Sequence, residues 1–486
     1  MILKRFYDDA LAQASWMVGC AATGEALVVD PNRDVDPYLA AAKAEGLRIT
    51  HVTETHIHAD FVSGARELAD RTGATLYLSD EGGADWRYAY AAEASAVLVK
   101  DGDAFHVGNV RIDVLHTPGH TPEHLAFVVT DTAAADRPMG VFTGDFVFVG
   151  DVGRPDLLER AASYAGTMEK GARVLFASLQ RFKERLPDYV QLWPGHGAGS
   201  ACGKALGAVP QSTLGYEKLF NWGLAATDEE EFVRAVLAGQ PEPPKYFARM
   251  KRINRDGPRV LGGFRLPPRM ADDRLAAVID GGAPVVDLRS TAEYASAHVP
   301  GTINVPLNRS FNTWAGWLLP YDRDVYLIVP DAEAADRAVR ALAMIGLDRV
   351  AGFFTARAIE SWRAAGRGTA SVEQIDSREL AERMGAGAVN VLDVRGRAEW
   401  EAGHLPGVPN VPVGYLADRL DEIPTDRPLV LQCQGGARSS IAASVLRAHG
   451  FRDVLNLTGG FQDWVSTGHP VERGEPAREP AGVPGD

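Results

Sequence analysis

A chain of 486 residues exceeds one ordinary domain and has room for about three. Its composition, 46% hydrophobic and 23% charged, is that of a globular protein, and a formal net charge of −14 without any basic tract disfavours a nucleic-acid partner. No apolar run approaches a membrane span, the N-terminus lacks a signal-peptide pattern, and the three cysteines, Cys20, Cys202 and Cys433, are too few for a disulfide framework, so a cytoplasmic chain without a membrane partner is expected.

The first stretch with chemical content is TETHIHADFVSG, residues 53–64. It sets His56, His58 and Asp60 at alternate positions and then Phe61 where a further ligand would serve a metal. VRIDVLHTPGHTPEHLAFVV predicts a strand, a Pro-Gly turn carrying His116, His120 and His124, and a second strand. VFTGDFVFVG then delivers Asp145 after a short apolar run, and YVQLWPGHG delivers His196 in the same way. A single His in a turn is usually a hydrogen-bonded structural residue. Four strand-to-loop junctions that each end in His or Asp instead aim their side chains at one sheet edge and point to a metal. Imidazole and carboxylate donors suit iron and zinc alike, so spacing leaves the element open.

Cys202 follows His196 in PGHGAGSACGK. A free Cys is most often a small packing residue, but this loop adjoins the predicted metal, and a role in holding or relaying sulfur is expected. Cys20, in strand-like SWMVGCAATGEALVVD, reads as structural. TDEEEF opens a helix with Thr227 and Glu230 as a capping box, closing a first domain over residues 1–240. The Pro-rich, charged passage 241–268 reads as a linker.

Beyond the linker the chain repeats itself. VVDLRSTAEYASAHVPGTINVPL, from Val285, returns as VLDVRGRAEWEAGHLPGVPNVPV, from Val391. Asp287, Arg289, Glu293, His298 and Asn304 recur at constant spacing as Asp393, Arg395, Glu399, His404 and Asn410. Each copy alternates apolar strands with helical patterns, which predicts α/β domains with parallel sheets over residues 269–370 and 371–474. Residues 475–486 lack apolar periodicity and read as a disordered tail. In the later copy, LVLQCQGGARSSIAASVLRAHGF ends a strand at Cys433, turns through Gln434, Gly435, Gly436 and Ala437, and starts a helix near Ser439 or Ser440. Converging backbone N–H groups, the helix N-terminus and Arg438 would favour a thiolate, making Cys433 a nucleophile of low pKa. The earlier copy has Val329 or Pro330 in that place and no glycines, which predicts a structural role such as docking other domains or walling a channel.

The ordered set of His56, His58, Asp60, His120 in TPGH, Asp145 in TGD and His196 in PGH resembles the metallo-β-lactamase fold, an αββα sandwich. In hydrolases of that fold the first two His and the TPGH His hold one zinc. The Asp, the next His and the last His hold a second, with the TGD Asp between them. This chain departs at that next His, which is Phe61, and the departure implies a single metal. The subgroup it resembles is the persulfide dioxygenases, whose iron ligands correspond to His56, His120 and Asp145. The resemblance implies one Fe(II) per chain, and leaves His58, Asp60 and His196 to orient ligands or reach substrate. GDVGRPDLL resembles a Gly-Arg-x-Asp loop of those enzymes, so Arg154 and Asp156 either shape the pocket or form an internal ion pair.

The repeated motif and the Cys433 loop resemble rhodanese domains. Tyrosine-phosphatase-type loops place five residues between Cys and Arg, whereas four separate Cys433 from Arg438, the tighter cradle of a sulfurtransferase. The whole order, an αββα domain followed by two rhodanese-like α/β domains, resembles bacterial persulfide dioxygenase–sulfurtransferase fusions. That resemblance implies a low-molecular-weight persulfide of the glutathione or coenzyme A type, dioxygen and sulfite as partners, sulfide detoxification as the role, and a homo-oligomer. Two competitors stay open: a glyoxalase II-like zinc thioester hydrolase fused to a sulfurtransferase, and a sulfur-carrier module whose metal is structural.

Overall fold

The computed structural model describes residues 1–157, 167–240 and 242–474. It divides into two compact units, one of Met1–Arg265 with Arg340–Asp348, the other of Leu266–Val339 with the chain from Arg349 onward.

The first unit is built on two six-stranded sheets. In one, β1 (Ile2–Asp8), β2 (Gln13–Cys20), β3 (Glu25–Val29), β4 (Arg48–Thr53), β5 (Thr75–Ser79) and β6 (Val97–Val99) lie in sequence order. In the other, β7 (Ala104–Val107), β8 (Val110–His116), β9 (Leu125–Asp131), β10 (Gly140–Gly144), β11 (Gln191–Pro194) and β12 (Ser212–Thr213) do the same. Strands β2 and β9 read as apolar runs rather than alternations because both of their faces are covered. Between the sheets Trp16, Val18 and Leu27 interdigitate with Ile112, Phe127 and Trp193. On the outer faces, helices Asp36–Ala44 and Ala65–Thr72 cover the first sheet, and helices Met168–Arg185 and Glu229–Leu237 cover the second. The result is the expected α, β, β, α layering. Because β4, β8, β10 and β11 all finish at the same edge, the residues after them meet there. The Leu125 N–H donates to the Thr55 carbonyl at 2.7 Å and ties the two sheets together beside that edge.

Two local expectations need correction. Helix Glu229–Leu237 is capped by Asp228, whose carboxylate accepts from the Glu231 N–H at 2.7 Å, and Thr227 does not serve. Asp places its acceptor over the first turn, while Glu230, the proposed partner of Thr227, instead pairs with Arg173 at 2.6 Å. The passage 241–268 is no bare linker. It carries helix Phe247–Asp256, which buries Phe247, Met250 and Asn254 at helical spacing, and the first unit runs to Arg265. That stripe was hidden between prolines and charges. The predicted tail, 475–486, lies outside the described residues. Among the described residues no helix is long and apolar enough to cross a membrane.

The second unit holds two four-stranded parallel sheets. The first consists of β13 (Val285–Asp287), β14 (Ile303–Asn304), β15 (Val325–Val329) and β16 (Val350–Thr355), in the order β14-β13-β15-β16. The second, from β17 (Glu373–Ile375), β18 (Asn390–Asp393), β19 (Leu429–Gln432) and β20 (Val454–Leu457), runs β17-β20-β19-β18. The repeated residues do the same work in both copies. Arg289 pairs with Asp287 at 2.6 Å and Arg395 with Asp393 at 2.7 Å. The Asn304 amide donates to the carbonyls of Asp287 and Arg289, and Asn410 donates to those of Asp393 and Arg395. Helix Ala437–Ala448 of the later copy packs on the earlier one, where Ser444 Oγ accepts from the Asn304 N–H at 2.9 Å.

Candidate functional site

At the shared edge of the first unit, His56, His120 and Asp145 bring their ligand atoms within 4.8 Å of one another, all buried. Their tautomers follow from their neighbours. Thr55 Oγ1 donates to Asp30 at 2.8 Å, so it accepts from His56 Nδ1 at 3.0 Å and leaves the lone pair on His56 Nε2. His120 Nδ1 faces the Arg154 carbonyl at 3.0 Å and must donate, which frees Nε2 in the same way. Asp145 Oδ2 then lies 3.6 Å from His120 Nε2 and 3.9 Å from His56 Nε2. Burial keeps the His56 imidazole well below its ordinary range and lowers that of His120, so both rings are neutral. Burial also opposes charge on Asp145, but His196 outweighs it and holds the carboxyl well below the usual carboxylate range. His56 Nε2 and Asp145 Oδ2 are buried lone pairs without a hydrogen-bond partner. Two neutral imidazoles and a carboxylate, with two of the three donor atoms buried and unpartnered, fit a divalent cation.

The other sequence-predicted residues surround this trio without joining it. His196 sits between two carboxylates, Nδ1 on Asp145 Oδ1 at 2.7 Å and Nε2 on Asp60 Oδ2 at 2.8 Å. Burial works against its charge, but Asp145 and Asp60 raise it well above the ordinary histidine range, so both ring nitrogens donate. His58 turns to Asp30 at 3.1 Å; burial is again outweighed, and it is raised to about 9. Phe61 is fully buried with its ring centroid 4.5 Å from that of His58. Cys202 groups with Asp60 and His196, and burial, with Asp60 and Asp145, pushes its thiol well up, which keeps it protonated. Arg154 forms a buried bidentate pair with Asp156 at 2.8 and 2.7 Å and donates to the Ala201 carbonyl, tying the loop before Cys202 to His120.

Several residues shape the site in roles that the sequence did not reveal. Asp30, held at φ 51°, accepts from the Thr55 N–H at 2.6 Å as well as from its hydroxyl. Its only signal was its place after an apolar strand. His124 Nε2 accepts from the Asp145 N–H at 3.2 Å and so fixes the backbone that carries that carboxylate. Glu123 accepts from the Ile57 N–H at 2.8 Å, and burial pushes it up to about 7.

In the second unit Cys433 directly follows β19 and is buried. Its Sγ accepts from the Gly436 N–H at 3.1 Å and from Ser439 Oγ at 3.4 Å. Gly436 adopts φ 92°, the left-handed conformation that turns the loop into the helix and aims its N–H back at sulfur. Gln434 Oε1 accepts from Arg395 at 3.3 Å. Gly435 has open space where a side chain would stand, and Ala437 begins the helix. Arg438 is held by Glu399 in a bidentate pair at 2.6 and 2.7 Å. Gly460 was missed: a Cβ there would overlap the Cys433 carbonyl oxygen, and the next residue, Phe461, donates its N–H to that oxygen at 2.7 Å. In the earlier copy the strand register matches Val329 to Cys433, since Ile328 pairs with Asp287 as Gln432 pairs with Asp393.

The metallo-beta-lactamase superfamily model matches residues 8–196, and the rhodanese-like domain model matches residues 271–364 and 376–467. The crystal structure of a metallo-beta-lactamase from Staphylococcus aureus subsp. aureus COL is 43% identical, with a TM-score of 0.65 over 73% of this chain and 99% of that one. A beta-lactamase hydrolase-like protein of Xylella fastidiosa (strain 9a5c) is 31% identical over 288 residues, 54% of this chain and 60% of that protein. A hydroxyacylglutathione hydrolase of Polaromonas sp. (strain JS666 / ATCC BAA-500) is 32% identical over 200 residues, 40% of this chain and 66% of that protein. The chain spans 60% to 62% of the length of the first curated relatives it matches. It belongs to the metallo-beta-lactamase superfamily, with two rhodanese-like domains following the metallo-beta-lactamase domain in sequence.

Proposed function

We propose that the first unit oxidises the outer sulfur of a low-molecular-weight persulfide with dioxygen, and that Cys433 passes sulfur to sulfite to form thiosulfate. The observation that carries the reading is the donor set: His56, His120 and Asp145 converge with free lone pairs, while the neighbouring group of Asp60, His196 and Cys202 has Phe61 in place of one ligand, its His196 paired to two carboxylates and its thiol held protonated. One Fe(II) held by those three residues would supply redox chemistry and open positions for persulfide and dioxygen. The chain's own side chains do the rest. His124 holds the Asp145 backbone N–H, His196 holds one oxygen of the Asp145 carboxylate, Arg154 anchors His120 through its carbonyl, and the protonated Cys202 thiol stands beside Asp60.

The reaction balances as RSSH, dioxygen and water giving RSH, sulfite and two protons. The S–S bond breaks, and the four electrons lost by the outer sulfur reduce dioxygen. At the second centre the Cys433 thiolate attacks the outer sulfur of a second persulfide and expels RS⁻. Sulfite then attacks the outer sulfur of the Cys433 persulfide; the Sγ–S bond breaks, thiosulfate leaves and the thiolate returns to the N–H groups of its loop. A glutathione or coenzyme A persulfide is the substrate class, sulfide detoxification the role, and a homo-oligomer the working form.

Metal analysis joined to an oxygen electrode tests the first half. About one iron per chain and prompt oxygen uptake with glutathione persulfide are expected, from one facial site. Two zinc ions and no uptake would instead support a thioester hydrolase, the reading favoured by the likeness to hydroxyacylglutathione hydrolase.

A further inference from the structure

We propose that Asn254, on a helix outside the matched metallo-beta-lactamase region, is a positioning residue for the metal centre: its amide holds in place the loop that carries His56, Asp60 and Phe61. The inference rests on reading His56, His120 and Asp145 as a metal centre, and is independent of the reaction run there.

Residues 54–64 lie in neither helix nor strand apart from an isolated bridge at Ser63, so their backbone groups need partners from elsewhere. Asn254 is fully buried and supplies three of them. Its Nδ2 donates to the carbonyls of His58 and Phe61, each at 2.7 Å, and its Oδ1 accepts from the Ser63 N–H at 2.9 Å. Those contacts bracket Asp60, which pairs with His196, and fix the peptide of Phe61, whose ring fills the vacated ligand position. Other contacts add to the grip, among them two that flank these. Glu123 accepts from the Ile57 N–H, and the Met344 carbonyl accepts from the Val62 N–H at 2.6 Å. Of these holds, only Asn254 serves both sides of Phe61 with a single rigid group.

The helix does not depend on that amide for its own seat. Phe247 and Met250 are buried on the same stripe, so truncating Asn254 leaves the helix its apolar anchors. What the truncation removes is the shared partner of two carbonyls and one N–H, and the loop must then shift to find others. Ligand positions set by such supporting bonds govern metal affinity by about 10–100-fold.

The test uses the full chain, stripped of metal and titrated with Co(II), whose visible d–d absorption reports ligand number and geometry. Asn254→Ala is expected to bind Co(II) about 10–100-fold more weakly and with an altered d–d spectrum, while its circular dichroism matches the parent. Asn254→Asp keeps an acceptor for Ser63 but loses both donors, and should also show an altered spectrum; it is read in the same way if the alanine variant does not fold. Parent-like spectra and affinity in the folded variant would overturn the positioning role alone. A parent chain that binds no Co(II) would overturn the metal centre itself, and the positioning role with it.

Discussion

The two rhodanese-like copies are a controlled comparison within one chain. Both keep the Asp-x-Arg ion pair and the Asn latch, and both stack a His on an aromatic ring, His298 on Tyr294 at 4.0 Å and His404 on Trp400 at 3.8 Å. They part company after the third strand of the repeat. One copy runs Val329, Pro330 and Asp331 into its helix; the other runs Cys433, Gln434, Gly435 and Gly436. The residues that make the repeat recognisable are therefore those that build the frame, and the capacity for chemistry sits in a few residues that do not repeat. Similarity along a motif measures the first and says little about the second.

The sharpest way to break that comparison is to make the later copy as inert as the earlier one. Cys433→Ser keeps the loop, the helix N-terminus and Arg438, but a hydroxyl cannot carry a persulfide. Thiosulfate formation should fall by at least about 10³-fold, the scale expected for loss of an obligatory nucleophile. Oxygen uptake with glutathione persulfide should be unchanged, because no residue of the first-unit metal trio is touched. A parallel fall in both activities would mean that the two chemistries are not divided between Cys433 and the metal centre as proposed.

A finer contrast uses the repeated glutamate. Glu293 accepts from the Ser290 N–H and hydroxyl and closes a capping box, whereas Glu399 accepts from the Gly396 N–H and also grips Arg438. Arg438 has no counterpart in the earlier copy, where Glu333 follows the first helical residue. Glu399→Gln should release the guanidinium from the rim of the Cys433 loop and lower kcat/KM for sulfur transfer about 10-fold through lost orientation. Glu293→Gln should leave transfer untouched and cost about 0.3–1.5 kcal/mol of stability as a weakened cap. Equal transfer rates in the two variants would show that the Arg438 pair is only a surface contact.

How much was legible follows the same division. The two α/β copies and the gathering of His and Asp at four strand ends were readable because repeats, strand ends and metal donors leave local patterns, whereas the layering of the first unit and the choice of His56, His120 and Asp145 came from the family resemblance. The roles of Asp30, His124, Asn254 and Gly460 were not, because each acts on a partner distant in sequence: Asn254 on residues 58, 61 and 63, Gly460 on the carbonyl of Cys433. Helix Phe247–Asp256 was lost for a related reason, since prolines and charges around a buried stripe with only two apolar residues, Phe247 and Met250, outweighed its spacing. Arg154 could be narrowed to two readings, and only the fold shows it paired with Asp156 and carrying His120 on its carbonyl.

The smallest expected effect is the most instructive: giving the earlier copy its missing thiol should achieve nothing. Val329 ends β15 in the register of Cys433 and is fully buried, so Val329→Cys is close to volume-conserving and should cost less than about 1.5 kcal/mol. The new sulfur would nonetheless lack its cradle. Pro330 has no N–H to offer, and Asp331 spends its carboxylate capping the Ala334 N–H at 2.8 Å, which places negative charge where a thiolate needs donors. No glycine pair stands there to turn a backbone N–H toward sulfur as Gly436 does. In a Cys433→Ser background, Val329→Cys should therefore form no thiosulfate and react slowly with a thiol reagent at neutral pH while folded. Measurable transfer from that chain would place the chemistry in the thiol itself, and not in the loop that holds it.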